Sequence, residues 1–424
     1  MAAGAAAATG AATGAAGSDI EHLSRLLNDR DGARRGQALF ELTTLADVPE
    51  WAEQMVAKGV ISSLINLLQA DSAIENAMED LLLKLASYVT EGDIVTLVSH
   101  LGDAAVHERR VAAAVVLMNL AYHNHANQER VAAAGAVPLL VRLLRSGNPE
   151  GQRAAAGALM NLAYNNHANR EMIAADAEAI PFLVMLLNID DPEVQSLAAG
   201  ALMNLACNNR PNQEMIAAAA GAVPRLVMLL DIDDSEVQRA AAGALRNLAC
   251  DNDANQEMIA AGAIPFLVML LDSDDPEVQR DATGVLMNLA CDYDAIPGII
   301  AAAGAISLLV ELLQSGNPEV QREAVSVLVN WTSHDAILGM IADAGGIRPL
   351  VELMRSGNPE VQNLAIVVLQ RLGDRNGLEI CRHRTWGEFI GQRMGVGAFA
   401  ALASASASAS SELLGVGDAA GPDR

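Results

Sequence analysis

The chain has 424 residues, of which 52% are apolar and only 3% are aromatic, so its core is predicted to consist of Ala, Leu, Val, Ile and Met. Its 52 acidic and 27 basic residues give a formal net charge of -25 at pH 7. This balance argues against a nucleic-acid-binding protein, because phosphate backbones attract Lys and Arg.

Residues 1–17 contain only Ala, Gly and Thr after the initial Met, without a charged side chain. A secretory signal needs a basic start and a strongly apolar centre, and a transit peptide needs Arg, so this segment is predicted to be a disordered tail. No integral membrane segment is expected either. The longest uncharged internal stretch, residues 295–310, carries Pro297 and is interpreted as parts of two core helices.

From residue 18 onwards the chain repeats itself with a period of about forty residues, which is typical of stacked helical repeats. In such a stack each repeat buries its apolar face only against its neighbours, which predicts an all-α solenoid. A Pro recurs in step, at Pro138, Pro181, Pro224, Pro265 and Pro349. An Asn marks each regular repeat, and these residues are called the ladder Asn below: Asn119, Asn161, Asn204, Asn247, Asn288 and Asn330.

The repeat at 221–261 shows how the helices are separated. Gly221 can take the left-handed conformation that ends one helix, and Pro224 fits the first turn of the next. Asp234 precedes Ser-Glu and is a helix cap, so a long third helix follows and ends near Asp251. A short helix is predicted to start after Asn255, as after Asn169 and Asn212 in the preceding repeats. Each repeat is therefore predicted to contain one short and two longer helices.

The segment GAVPRLVMLLDIDDSEVQRAAAGALRNLACDNDANQEMIAA closely resembles an armadillo repeat, and similar text fills residues 93–373. The resemblance implies a right-handed superhelix of about nine three-helix repeats. It further implies that the third helices line a concave groove, which holds extended peptides or partner proteins. The pattern is more similar to β-catenin-like and vacuolar-type armadillo scaffolds than to importin-α.

The terminal repeats depart from the pattern, since Glu41, Lys84 and Arg371 stand at the ladder position. The step from Lys84 to Asn119 is shorter than the others, which predicts that the second repeat lacks most of a short helix. Degenerate ends fit capping repeats with a polar outer face. The predicted organisation is a disordered tail at 1–17, degenerate N-terminal repeats at 18–92, regular repeats at 93–384, and a C-terminal helix with a low-complexity tail at 385–424.

One face of the third helix carries Arg, Gly and Asn at intervals of four residues. The Asn amide can both donate to and accept from a peptide backbone, and Arg suits carboxylate or phosphate groups. This face, called the stripe below, is therefore predicted to bind an extended, acidic segment of a partner protein. The candidate binding residues are the six ladder Asn together with Arg153, Arg239, Arg280 and Arg322. The Gly positions are Gly157, Gly200, Gly243 and Gly284.

A structural interpretation of the stripe stays open. The Asn side chains can bridge neighbouring helices, and the Arg side chains can pair with the abundant acids. The glycines leave room for a ligand backbone or for the adjacent third helix, and the second reading is slightly favoured. A nuclear transport receptor of the importin-α type is the alternative function, although the family's Trp one turn before the Asn is Gly here and its basic N-terminal segment is absent.

No catalytic triad, zinc spacing or phosphate loop occurs, so a non-enzymatic scaffold or adaptor without metal or cofactor is expected. The Asp-rich turns lack the Gly and terminal Glu of a calcium loop. Cys207, Cys250 and Cys291 each follow a ladder Asn by three residues, too far apart for disulfides between stacked helices. With the isolated Cys381 they indicate a reducing compartment, the cytoplasm, with the nucleus as an open alternative. A monomer is expected.

Overall fold

The computed structural model describes residues 19–29, 31–70, 75–103, 106–289 and 295–375, and every regular element within these ranges is an α-helix. The predicted tails at 1–17 and 385–424 lie outside the described residues. The chain divides into two compact bodies, Met1–Leu308 and Leu309–Arg424, which are described separately below.

The N-terminal body begins with degenerate repeats and continues with regular ones. The helices of its first part are α1 (19–26), α2 (Gly32–Leu45), α3 (Pro49–Ala57), α4 (Val60–Ala70), α5 (Glu75–Leu85) and α6 (Glu91–Gly102). The regular part contains α7 (His107–Ala121), α8 (His125–Ala133), α9 (Ala136–Leu144), α10 (Pro149–Ala163), α11 (His167–Ala175), α12 (Ala179–Leu186), α13 (Pro192–Ala206), α14 (Arg210–Ala218), α15 (Ala222–Leu229), α16 (Ser235–Ala249), α17 (Asp253–Leu270), α18 (Pro276–Leu289) and α19 (Ala295–Ala302). Helix α20 comprises Ala305–Leu312. The C-terminal body continues with α21 (Pro318–Trp331), α22 (Asp335–Asp343), α23 (Ile347–Leu353) and α24 (Pro359–Arg375).

The third helices α7, α10, α13, α16 and α18 pack against one another in chain order. Their facing surfaces are built from small and aliphatic side chains: in α13, Ala198, Ala199, Ala201 and Leu202 are all completely buried. Because the side chains are small, neighbouring helices can approach closely, as the low aromatic content predicts. Only one helix, α6, lies between α5 and α7. The predicted loss of a short helix in the second repeat is therefore confirmed.

The predicted helix boundaries hold where Gly and Asp mark them. Gly221 adopts a φ of 80° before α15, and Pro224 is the third residue of that helix. Asp234 caps α16, and its carboxylate accepts a bond from the N–H of Val237 at 3.0 Å. The repeat that contains Pro265 differs, because its short and second helices form the continuous α17. There the segment that joins the two helices is two residues shorter than in the preceding repeat, which leaves no room for a turn.

The predicted start of the short helix is wrong by three residues. The N-caps are Asn166, Asn209 and Asn252, not Asn169, Asn212 and Asn255. Asn209, for example, accepts a bond from the N–H of Asn212 at 3.1 Å. Asn212 is then the third residue of α14 and is buried, and its amide donates to the carbonyl of Leu205 at 2.9 Å. The second Asn therefore fastens the short helix to the third helix that precedes it.

Candidate functional site

The ladder Asn side chains connect successive third helices of the N-terminal body. Each amide from the second ladder position onwards donates to the main-chain carbonyl of the residue before the preceding ladder Asn. These bonds, each 2.9 Å long, run from Asn161 to Met118, from Asn204 to Met160, from Asn247 to Met203 and from Asn288 to Arg246. Asn119 instead donates to Val115 of its own helix at 3.1 Å. The helix-bridging role that the sequence left open is therefore present.

Bridging uses only one side of each amide. Among the described residues, no donor is bonded to the side-chain oxygen of Asn161, Asn204 or Asn247. An Asn carboxamide has two N–H donors and an oxygen with two acceptor sites, so most of its capacity is left over. The bridge also fixes the side-chain orientation, because the bonded N–H defines where the oxygen points. The ligand-binding role of these residues stays a prediction.

The stripe arginines of the N-terminal body are all paired with acids, as the structural interpretation anticipated. Arg153 bonds Glu193 of the next repeat at 3.0 Å, and Arg239 bonds Glu236 one turn before it. Arg280 pairs with Glu277 and Asp281. The glutamates are the more exposed partners: 62% of the Glu193 side chain is exposed against 18% of Arg153.

In the C-terminal body, Arg322 and Asn330 both lie on α21 and are half-buried. Arg322 bonds Glu319 at 2.9 Å and the fully buried Glu323 at 2.7 Å. Its guanidinium is thus engaged by two carboxylates, one near the surface and one in the interior. This arrangement matches that of Arg280 in the N-terminal body.

The stripe glycines leave room for a side chain of the preceding third helix. A methyl group at Gly157 would lie 2.4 Å from Sδ of Met118, which is closer than two atoms can approach. The same holds for Gly200 under Met160 at 2.7 Å. Of the two sequence explanations, approach of the adjacent helix is the one present, through a flexible side chain. The remaining pairs are Gly243 with Met203 and Gly284 with Arg246. Sequence reasoning missed these covering side chains, although each stands next to a ladder Asn.

Arg246 takes the place of methionine at one step and has a buried partner. Its Nη1 lies 3.4 Å from Oδ1 of Asp281, and Arg280 Nη2 bonds the same oxygen at 3.1 Å. Asp281 is only 5% exposed. Burial raises the pKa of the Asp281 carboxyl above its ordinary value, and the charges of Arg280 and Arg246 act in the opposite direction. One negative charge is therefore held beneath two guanidinium groups.

The third helices end in a second column of side chains, three residues after the ladder Asn. Its first members are Tyr122 and Tyr164, which are 48% and 36% exposed, and the ring of His123 lies edge-on to both at 4.3 and 4.7 Å. Cys207 and Cys250 follow as free, half-buried thiols. Burial and the neighbouring Asp251 raise the pKa of Cys250. Cys291 and Cys381 lie outside the described residues.

Within the described ranges, no group of three or more His, Cys, Asp or Glu side chains could hold a metal ion. No helix in that part of the chain is both long and apolar enough to cross a membrane. His125 and His167 are exposed and begin helices α8 and α11, where each faces a glutamate one turn later.

Comparison with known proteins decides the family. The model of the armadillo/β-catenin-like repeat matches residues 124–164, 166–207, 209–250, 251–291, 297–331 and 338–373, together more than half of the chain. The chain belongs to the armadillo repeat family. Its fold is accordingly an α-solenoid, as predicted. Among curated proteins, none matches this armadillo repeat protein.

Solved structures agree. An engineered protein from a structural genomics consortium is 35% identical, with 83% of this chain and 88% of that chain covered and a TM-score of 0.67. A designed armadillo repeat protein is 31% identical, with coverage of 56% and 99% and a TM-score of 0.53. Another designed armadillo repeat protein, solved in complex with the peptide (KR)4, is also 31% identical, with coverage of 56% and 99% and a TM-score of 0.52. The armadillo family and its peptide-binding members thus support a protein-interaction scaffold.

Proposed function

We propose that this armadillo repeat protein is a non-enzymatic scaffold that binds an extended segment of a partner protein along the stripe of its N-terminal body. The bridge that recurs at 2.9 Å from each ladder Asn between Asn161 and Asn288 carries this proposal. Each amide is held in one orientation by its bridge to the preceding helix and keeps its oxygen for a ligand. Such a row can accept the N–H groups of an extended main chain without reading its sequence.

The dimensions favour a long segment. From Asn119 to Asn288 the ladder spans four steps of about 8–10 Å each, the usual separation of packed helices. An extended chain covers about 3.3 Å per residue, so a segment of about ten to twelve residues fits this length. The designed relative that is solved with the peptide (KR)4 supports a peptide segment as ligand.

We further propose that acidic or phosphorylated segments are preferred, with exchange of the stripe ion pairs. Exposed ion pairs contribute about 0–1 kcal/mol each, so the bonds of Arg153 to Glu193 and of Arg239 to Glu236 are easily broken. A carboxylate or phosphate on the ligand can accept two parallel N–H bonds from one guanidinium and take the place of the glutamate. Binding is therefore expected to weaken as salt is added.

The test replaces Asn204 and Asn247 by Ala and measures the affinity for extended acidic, neutral and basic peptides of equal length. Because each Ala also removes a bridge, the control is Asn212→Ala, which removes a buried bond away from the stripe. Both proteins are measured below their melting temperatures. The ladder variant is expected to lose at least about tenfold in affinity for the bound peptides, equivalent to 1.4 kcal/mol. Equal affinities in the ladder variant, the control and the wild type would exclude the stripe as the binding surface.

The second candidate function is that of a transport receptor whose cargo carries a basic peptide. The acids beside the stripe favour it, because the side chains of Glu193 and Glu236 are 62% and 66% exposed. The same peptide series separates the candidates. If the basic peptide binds more tightly than the acidic one, and if Glu193→Gln weakens its binding, the transport receptor is favoured over the scaffold that prefers acidic segments.

A further inference from the structure

We propose that the side chain immediately before each ladder Asn selects the bound segment step by step, with Met118, Met160 and Met203 accepting apolar side chains and Arg246 accepting one carboxylate. These four residues are called the selector column. The inference rests on the proposed function and adds to it which side chains the segment carries. It predicts that the ligand side chains facing the selector column are apolar at three successive steps and acidic at the fourth.

The selector side chains lie where a ligand along the stripe would meet them. Each is half-buried and covers the glycine one turn before the next ladder Asn. The main-chain carbonyl of the same residue accepts the bridge from that Asn, as with Met203 and Asn247 at 2.9 Å. The side chain is therefore held close to the amide that binds the ligand backbone, while its far end stays flexible.

Methionine suits a position that adapts to its ligand. It has three rotatable bonds and a polarisable sulfur, so it fills irregular gaps and contacts aromatic or aliphatic groups equally well. The glycine beneath offers space that an alanine would remove: Sδ of Met203 lies 2.4 Å from where a methyl group at Gly243 would be. Three successive methionines over three glycines form an apolar surface that can rearrange around large side chains.

Arg246 changes the chemistry of the fourth step. Its side chain is 29% exposed, and the carboxylate that holds it, Asp281, is buried. At the place of Asp281 the preceding repeats carry Ala154, Leu197 and Ala240. Arg246 and its buried partner Asp281 thus occur together at a single step between successive repeats. Asp281 also bonds Arg280, so two guanidinium groups share one buried carboxylate, and a ligand carboxylate complements the charge of this step.

The experiment selects binders from a random library of peptides of about fifteen residues displayed on phage, long enough to cover the ladder. The wild type is compared with Arg246→Met, which restores the residue of the sister repeats. Arg210→Met is the matched control, because it removes the same charge from an exposed residue that pairs with Glu214 on α14. Thermal melts check that all proteins are folded.

The wild type and the Arg210→Met control are expected to enrich Asp or Glu by about tenfold at one position, the ratio given by one good charged contact. Arg246→Met is expected to replace this acid by a large apolar residue. The pair Met203→Arg with Ala240→Asp, added to Arg246→Met, rebuilds the site one repeat earlier. The acid should then return at a position shifted by one step, about three residues along the segment.

The outcomes separate the two proposals. If Arg246→Met selects the same acidic position as the wild type, the selector column is wrong while the stripe stands. If the wild type selects segments that lose their binding in Asn204→Ala with Asn247→Ala but show no acidic or apolar preference, the stripe again stands alone. If the wild type selects no segment, the proposed function fails and the selector column fails with it.

Discussion

The regular repeats at 107–289 and the N-terminal segment at 19–103 connect their layers with different bonds. In the regular repeats, Asn amides that are buried or half-buried donate to main-chain carbonyls of the repeat before, as from Asn161 to Met118. In the N-terminal segment the connections are exposed ion pairs, Lys58 with Glu21 and Lys84 with Asp47. Lys84, at the ladder position, also donates to the carbonyl of Thr43 at 3.2 Å, in the manner of a ladder Asn.

The difference shows what a ladder position must do structurally. A donor toward the preceding third helix is needed in both regions, and Lys provides it as well as Asn does. What Lys does not provide is a fixed amide with a free acceptor. The ion pairs of the N-terminal segment should therefore depend on salt, whereas the Asn bridges of the regular repeats should not.

The largest effect is expected from the buried amides of the short helices. Asn212 is 2% exposed and donates to Leu205 and, at 3.4 Å, to the carbonyl of Arg170 in the preceding repeat. Asn212→Ala leaves buried carbonyls without donors and should lower the free energy of unfolding by about 2–3 kcal/mol, measured by urea denaturation. The exposed Asn188, which bonds only Met185 nearby, is the control, and Asn188→Ala should change stability by less than about 0.5 kcal/mol. Similar losses in both variants would mean that the buried amides do not hold the repeats together.

A smaller effect is expected at the N-terminal segment. Lys84→Met removes two exposed ion pairs and the bond to Thr43, so its cost should stay below about 2 kcal/mol and decrease in 1 M salt by the share of the ion pairs. Hydrogen exchange of the amides in α2 and α5 reports on this region alone. The same measurement on α10 and α13, which the Asn204 bridge joins besides the pair of Arg153 with Glu193, should show a smaller dependence on salt. Salt-independent exchange in both regions would remove the contrast drawn above.

The third effect depends on pH. Because the pKa of Asp281 is raised in the folded protein, the folded state holds this proton more tightly than the unfolded chain, where Asp titrates near about 3.9. As pH rises through the interval between these two pKa values, the wild type should lose stability relative to Asp281→Asn and then stay level. Urea denaturation of both proteins between about pH 3 and about pH 8 tests this. If the wild type instead gains stability relative to Asp281→Asn as pH rises, the charges of Arg280 and Arg246 affect the pKa of Asp281 more than burial does.

The smallest effect concerns the thiols. Cys250 should react slowly with a disulfide reagent at neutral pH, because its raised pKa leaves little thiolate. Unfolding should make it react at the ordinary rate. A protein prepared under reducing conditions should show Cys207 and Cys250 as free thiols, in line with their unpaired state in the structure. A Cys207–Cys250 bond in mass spectra of that protein would contradict the packing of α13 and α16.

The repeat period and most helix starts could be predicted from the sequence because they depend on local chemistry. Asp234 and Gly221 act within one turn of the chain, so their residue types are sufficient. The choice between Asn252 and Asn255 as cap could not be predicted, because both suit a cap and only the packing of the second against Leu248 separates them. The fusion of two helices in α17 depends on a two-residue difference between repeats, which the residue types at Gly262 and Pro265 do not reveal.

The site was only partly predictable for a different reason. The stripe follows from spacing within one helix, whereas the cover of Met118 over Gly157 joins residues in different repeats. Nothing near Gly157 in the sequence indicates which side chain fills the space above it. The pairing of Arg246 with Asp281 is of the same kind. Both could have been suspected from the substitutions that break the pattern, since Arg replaces Met and Asp replaces Ala or Leu in adjacent repeats.

The bridge from each ladder Asn ends on a main-chain oxygen, and this has an evolutionary consequence. A carbonyl is supplied by every amino acid, so the residue that accepts the bond can mutate without disturbing it. Met118 and Arg246 already occupy this place with bonds of the same length, 2.9 Å. Duplicated repeats can therefore diverge at this position while their assembly is preserved, without a compensating mutation in the neighbouring repeat's Asn.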